Sequence, residues 1–106
     1  MKFLTVCEGG NVRSVGMAFT LKYNFGQEAV PVSYSKCSQE SLDYFSAWAD
    51  YIVVMQPKFA DKFIKSREKL LLVDVGDDRW MNPLHPELQN IVGAIAQDWR
   101  NKDWKF

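Results

Sequence analysis

The chain has 106 residues, of which 47% are hydrophobic and 25% charged, and its acidic and basic side chains balance at 13 each. This is enough for one domain with a modest core, and the balanced charge gives no reason to expect nucleic acid or an anionic membrane surface as partner. No apolar run reaches the length of a membrane span, and Leu4-Thr5-Val6 is too short for a secretory signal. Two cysteines make neither a disulfide scaffold nor a zinc site, so the expectation is one cytoplasmic domain over 1–106 with reduced thiols and no metal.

Apolar runs alternate with helical patterns along the chain. Phe3 to Val6 reads as a buried strand ending near Cys7. Ser14 to Tyr23 reads as a helix with Val15, Ala18, Phe19 and Leu21 facing inward, closed by Asn24-Phe25-Gly26. Ala29 to Tyr34 is a second strand, and Pro31 assigns it to a sheet edge. Ser38 caps a helix through Trp48 in which Leu42, Phe45 and Ala49 share a face. Tyr51 to Met55 is a third, fully apolar strand. Pro57 suits the first turn of a helix carrying Phe59, Phe63 and Ile64. Leu70 to Val73 is a fourth strand, followed by the polar loop Gly76-Asp77-Asp78-Arg79. Pro86 opens the last helix, with Leu88, Ile91, Val92, Ile95 and Trp99 at helical spacing. The tail from Asn101 to Phe106 is expected to be loosely held, with Trp104 packing.

Continuous apolar strands separated by helices imply a parallel sheet covered on both faces. The expected fold is α/β, a single-domain doubly wound four-stranded parallel sheet of order 2-1-3-4 with helices on both faces. Ligands in such sheets bind beyond the carboxyl ends of the strands. That edge carries Cys7 and, far away in sequence, Asp77.

The stretch from Cys7 to Ser14 has the equipment for attacking a phosphate with sulfur. A thiol is followed by Glu8-Gly9-Gly10-Asn11-Val12, a loop rich in free backbone N–H groups, and then by Arg13 and Ser14 at a helix start. Backbone donors at a helix start hold a tetrahedral oxyanion, and a guanidinium grips two of its oxygens. Such a positive field favours the nucleophilic thiolate. Ser14 can donate to that sulfur, and Asn11 can brace the loop. Glu8 beside the nucleophile disfavours strongly acidic substrates if it faces the mouth. A departing alkoxide or phenoxide needs a proton, and Asp77 on the facing loop is the candidate donor. Asp78 is its nearest competitor, and Asp74 supports the loop. Trp80 either stacks on an aryl group or packs against the last helix. His85, between two prolines, reads as structural, and Cys37 as a loop cysteine.

These residues resemble the low-molecular-weight protein tyrosine phosphatases. Cys7 to Ser14 matches their Cys-x5-Arg-Ser signature. Ala49-Asp50-Tyr51-Ile52-Val53-Val54-Met55 is similar to their third strand, and Val75-Gly76-Asp77-Asp78 to the start of their acid loop. Asp77 to Pro83 is similar to a short bacterial branch of the superfamily. The resemblance implies Cys7 as nucleophile, Arg13 as phosphate clamp, Asp77 as general acid, no metal or cofactor, and a phosphorylated protein or small aryl phosphate as substrate. The chain departs from the pattern in places. Gly10 stands where the usual asparagine does, Val12 replaces a second loop cysteine, Val15 replaces a proline, and Arg79 and Trp80 replace the paired tyrosines.

A second resemblance is to the B subunits of sugar phosphotransferase systems, phosphocysteine carriers of similar length. Cys7-Glu8-Gly9-Gly10 and Gln56-Pro57 are similar to their loops. Arg13 and the Asp77-Asp78 loop favour the phosphatase over the carrier. A non-catalytic member that binds an anion or a phosphoprotein is the third reading.

Overall fold

Five successive residues of the first strand, Phe3 to Cys7, are buried, as a strand covered on both faces requires. The computed structural model describes residues 1–102; the expected packing of Trp104 lies outside the described residues. The elements are β1 (Lys2–Cys7), α1 (Arg13–Tyr23), β2 (Glu28–Ser33), α2 (Gln39–Trp48), β3 (Tyr51–Val54), a 3-10 segment (Pro57–Lys69), β4 (Leu70–Leu72) and α3 (Pro86–Asn101). All strand pairs are parallel, in the order β2-β1-β3-β4. This is the α/β sheet expected from the alternation of apolar runs and helices. Pro31 is tolerated because β2 is an edge strand. β4 is the other edge, short and half open, with Leu72 58% exposed.

Helix α1 packs on β1, β2 and α3, while α2 packs on the 3-10 segment, so the sheet is covered from two sides. Phe3 and Trp99 stack with nearly parallel rings between β1 and α3. Trp99 is buried with Leu88, Val92 and Ala96, whereas Ile91 and Ile95 of the expected stripe are half-buried.

Three local expectations are corrected. In α1, Met17 and Leu21 are fully buried and Phe19 is exposed. The buried face of this helix includes Arg13, Ser14, Gly16 and Thr20, so polar residues set its phase. Thr20 Oγ1 donates to Gln89 Oε1, and Gln89 Nε2 donates to the carbonyls of Gly16 and Pro83. The segment after Pro57 is 3-10 rather than α, with breaks at Phe63 and Ser66. Here the Lys62 carbonyl accepts from the Gln39 side chain, which occupies an acceptor just before the first break. Phe59 and Phe63 still reach the core, but Ile64 is turned out and 61% exposed.

Gly16 marks the closest approach of α1 and the start of α3. A Cβ there would sit 2.8 Å from the Pro83 carbonyl oxygen and 2.9 Å from Leu88 Cδ2. Helix propensity alone favours Gly16→Ala by about 1 kcal/mol, and overpacking opposes it by ~1–3 kcal/mol. The rigid carbonyl decides the sign. Gly16→Ala is expected to lower the thermal midpoint by several degrees in circular dichroism.

Candidate active site

Hydrogen bonds continue past the ends of the strands and bring three loops to one edge. Met55 N–H donates to the Val6 carbonyl, Val73 N–H to Val54, and Val75 N–H to Met55. These bonds carry Gln56 and the Gly76-Asp77 turn to the carboxyl edge that also holds Cys7. The edge is the one expected to bind ligands in a doubly wound sheet.

Cys7 is 3% exposed, and its Sγ lies 3.1 Å from Ser14 Oγ and accepts the Ser14 N–H at 3.4 Å. Ser14 is pinned in turn, because Thr5 Oγ1 donates to its carbonyl at 2.7 Å. The first strand therefore holds both the sulfur and the helix start that faces it. The loop between them is anchored from β2. Ser33 Oγ, Ser35 Oγ and the Ser35 N–H all donate to the Glu8 carbonyl. The Glu8 residue itself is exposed. Gly10 adopts φ 69°, and a Cβ there would lie 2.8 Å from the Ser33 nitrogen. Only glycine lets the loop press this closely on β2. Asn11 is exposed, and its side chain bonds none of the described residues, so the loop is braced by Ser33 and Ser35 instead.

Helix α1 begins without a side-chain cap at Val12. Among the described residues, the N–H groups of Gly9, Gly10, Asn11, Val12 and Arg13 have no acceptor. A helix start with unspent donors is an anion-binding arrangement.

Arg13 is 4% exposed and its guanidinium packs over the Phe59 ring at 5.6 Å. Phe59 is backed by Tyr34 at 5.1 Å between ring centres. The Tyr34 hydroxyl donates to Asp61, which with burial raises its pKa above the usual tyrosine value. Arg13 Nη1 donates to Gln56 Oε1 at 2.5 Å and to the Gly76 carbonyl at 2.9 Å. Its Nε is a buried donor without a partner among the described residues. Gln56 Nε2 donates onward to Asp77 Oδ1 at 3.2 Å. Arg13 and Asp77, 64 positions apart, are thus joined through one amide.

The loop that carries Asp77 and Asp78 is shaped by Asp74, whose Oδ1 accepts the Gly76 N–H at 2.9 Å. Asp77 and Asp78 are both exposed. Trp80 is 5% exposed, its indole N–H donates to Glu87 Oε1, and the Arg79 guanidinium lies 4.0 Å over its ring. That arrangement corresponds to packing against the last helix, and the aryl-stacking alternative is set aside because the ring is buried and one face is covered. Arg79 also pairs with Glu87 at 2.9 Å. The Trp80 N–H first, and Arg79 second, hold the Glu87 carboxyl below its usual range. His85 Nδ1 accepts the Glu87 N–H and caps α3, a structural role.

Sequence reasoning missed Gln56, Ser33, Ser35 and Phe59 as parts of this site. Gln56 carries two signals, a polar residue directly after a fully apolar strand and the similarity of Gln56-Pro57 to a carrier loop, but neither names its partners. The serines and Phe59 carry none, because their partners are distant in sequence.

No protein-family model and no curated protein matches the sequence. Solved structures do match the fold. Wzb from Vibrio vulnificus, in complex with benzylphosphonate, superposes with a TM-score of 0.72 at 16% identity, covering 95% of this chain and 97% of that one. A low-molecular-weight phosphotyrosine phosphatase from Vibrio cholerae O395 gives 0.70 at 12% identity, covering 98% and 99%. The YwlE arginine phosphatase from Geobacillus stearothermophilus gives 0.60 at 15% identity, covering 95% and 94%. At this identity the likeness is one of fold, and the fold of this chain is that of the low-molecular-weight protein tyrosine phosphatases.

Proposed function

We propose that this protein is a cysteine-dependent phosphomonoesterase that acts through a phosphocysteine intermediate on phosphotyrosine or another aryl phosphate. One observation carries the reading. Among the described residues, unspent backbone donors follow a buried cysteine, and the buried guanidinium of Arg13 presents an Nε–H that none of them accepts. A buried donor left unpaired costs about 1–3 kcal/mol. A phosphate oxygen satisfies it.

In the first step the Cys7 thiolate attacks phosphorus, an S–P bond forms and the bond to the leaving oxygen breaks. Asp77 supplies that oxygen with a proton and becomes a carboxylate. In the second step water attacks phosphorus and gives its proton to Asp77. The S–P bond breaks, inorganic phosphate leaves and the thiolate returns. Ser14 steadies the sulfur as leaving group by donating to it. Arg13 and the loop N–H groups meet the charge on the equatorial oxygens. No step calls for a metal, since these donors meet the phosphate charge.

The likeness in fold to a benzylphosphonate-bound protein supports an aryl substrate, and the likeness to an arginine phosphatase keeps a P–N substrate in view. A carrier needs no acid for a leaving group, so the tie from Arg13 through Gln56 to Asp77 favours the hydrolase. Asp77→Asn tests the acid. Hydrolysis of phenyl phosphate is expected to fall by about 10²-fold, and that of dinitrophenyl phosphate, whose leaving group needs no proton, by a few-fold. Equal losses on both substrates would remove Asp77 from the role and bring in Asp78.

A further inference from the structure

Gln56 is half-buried at the carboxyl end of β3, and its amide has one chemically acceptable orientation. Arginine has donors and no acceptor, so the amide oxygen must face Arg13. The NH₂ group then faces Asp77; Oε1 lies 2.5 Å from Arg13 Nη1 and Nε2 lies 3.2 Å from Asp77 Oδ1.

This has a consequence at each end. Arg13 Nη1 has two hydrogens, and they are engaged by Gln56 and by the carbonyl of Gly76. The guanidinium is therefore held by its far nitrogen. Among the described residues nothing bonds the edge formed by Nε and Nη2, and Nε there is a buried donor. That edge is a side-on fork for two oxygens of one phosphate. At the other end, Asp77 Oδ1 already accepts an N–H from Gln56. The proton of the acid form accordingly resides on Oδ2, the oxygen that remains for the leaving group. Gly76 reinforces the tie, because its carbonyl holds Arg13 from the residue next to the acid.

We infer that Gln56 is a positioning residue that couples oxyanion capture by Arg13 to the placement of the proton on Asp77. The inference rests on the phosphatase reading for its catalytic consequence. Gln56 does not touch the reacting atoms. It fixes which edge of the clamp faces the anion and which oxygen of the acid carries the proton. Neither Phe59 nor Ser14 can do this, since neither bonds the acid loop.

Gln56→Met tests it, because methionine keeps the length of the side chain and removes both hydrogen bonds. The expected result is a fall of about tenfold in kcat for phenyl phosphate and about threefold or less for dinitrophenyl phosphate. In an Asp77→Asn background the same substitution is expected to add no further selectivity between the two substrates. A side chain that only supports the fold lowers both rates alike and does so in either background; that outcome overturns the inference. A second readout needs no turnover. The Arg13 Nε–H resonance is followed while inorganic phosphate is added to wild type and to Gln56→Met. The inference predicts a smaller shift at saturation and affinity weaker by about threefold or more in the variant. Identical titrations overturn it. An inactive wild type with differing titrations would refute the phosphatase reading and leave the Gln56–Arg13 coupling standing.

Discussion

Replacing Cys7 with serine is expected to abolish turnover while leaving oxyanion binding in place. The serine hydroxyl fits the space, because Cys7 is buried at the end of β1 and its neighbours there are Ser14 Oγ and the Ser14 N–H, which can hydrogen-bond an oxygen as readily as a sulfur. What is lost is the nucleophile. A serine hydroxyl with no general base beside it is intrinsically a far weaker nucleophile than a cysteine sulfur. The expected loss is roughly 10⁴-fold or more, about 5 kcal/mol of transition-state stabilisation. The donors of the loop and of Arg13 are untouched, so the affinity for inorganic phosphate should change by about threefold or less. Calorimetric titration with phosphate beside the kinetic assay checks both halves. Turnover that survives Cys7→Ser would remove the covalent mechanism.

Arg13→Ala is the second large effect, and it differs in kind because it damages binding and catalysis together. The side chain is buried, stacks on Phe59, and holds Gln56 and the Gly76 carbonyl from one nitrogen. Alanine removes the phosphate fork, leaves the Gly76 carbonyl short of its donor and frees the acid loop. Loss of one preorganised oxyanion donor costs about 10²–10³-fold in kcat, and here two adjacent N–H groups of one fork are lost. A drop of roughly 10³-fold or more in kcat/KM is expected, with phosphate affinity reduced by at least about tenfold. Arg13→Lys should recover little. An ammonium is a point donor and cannot serve Gln56, Gly76 and a phosphate from two ends of a planar group. Retention of phosphate affinity in Arg13→Ala would show that the loop N–H groups alone make the anion site.

Much of the fold was legible because its strongest signals are local. Phe3 to Val6 and Tyr51 to Met55 are apolar throughout, which marks central strands of a covered parallel sheet, and Pro31 marks an edge. The helices that follow a Ser38 cap or a Pro86 start were placed within a residue or two. The phase of α1 was not legible, because its buried face carries Arg13, Ser14, Gly16 and Thr20, and apolar counting favours Phe19 over such residues. The breaks at Phe63 and Ser66 after Pro57 sit beside a bond from Gln39 to the Lys62 carbonyl, a contact between segments that periodicity does not encode. In the site, Cys7, Arg13 and Ser14 stand close in sequence and their meeting could be read. Gln56 could not be assigned its bonds, because they span 43 positions to Arg13 and 21 to Asp77. Trp80 illustrates the converse. Its place in the sequence left two readings open, stacking on an aryl group or packing against the last helix, and only the contact from its indole N–H to Glu87, seven residues on, places it against that helix.

The most direct test of the phosphocysteine is a rapid acid quench during hydrolysis of para-nitrophenyl phosphate under reducing conditions, followed by mass analysis of the Cys7 peptide. A burst of nitrophenol and a phosphate adduct on the peptide that contains Cys7 are expected, and both should be lost in Cys7→Ser. Steady turnover without a burst and without an adduct, undiminished in Cys7→Ser, would contradict it.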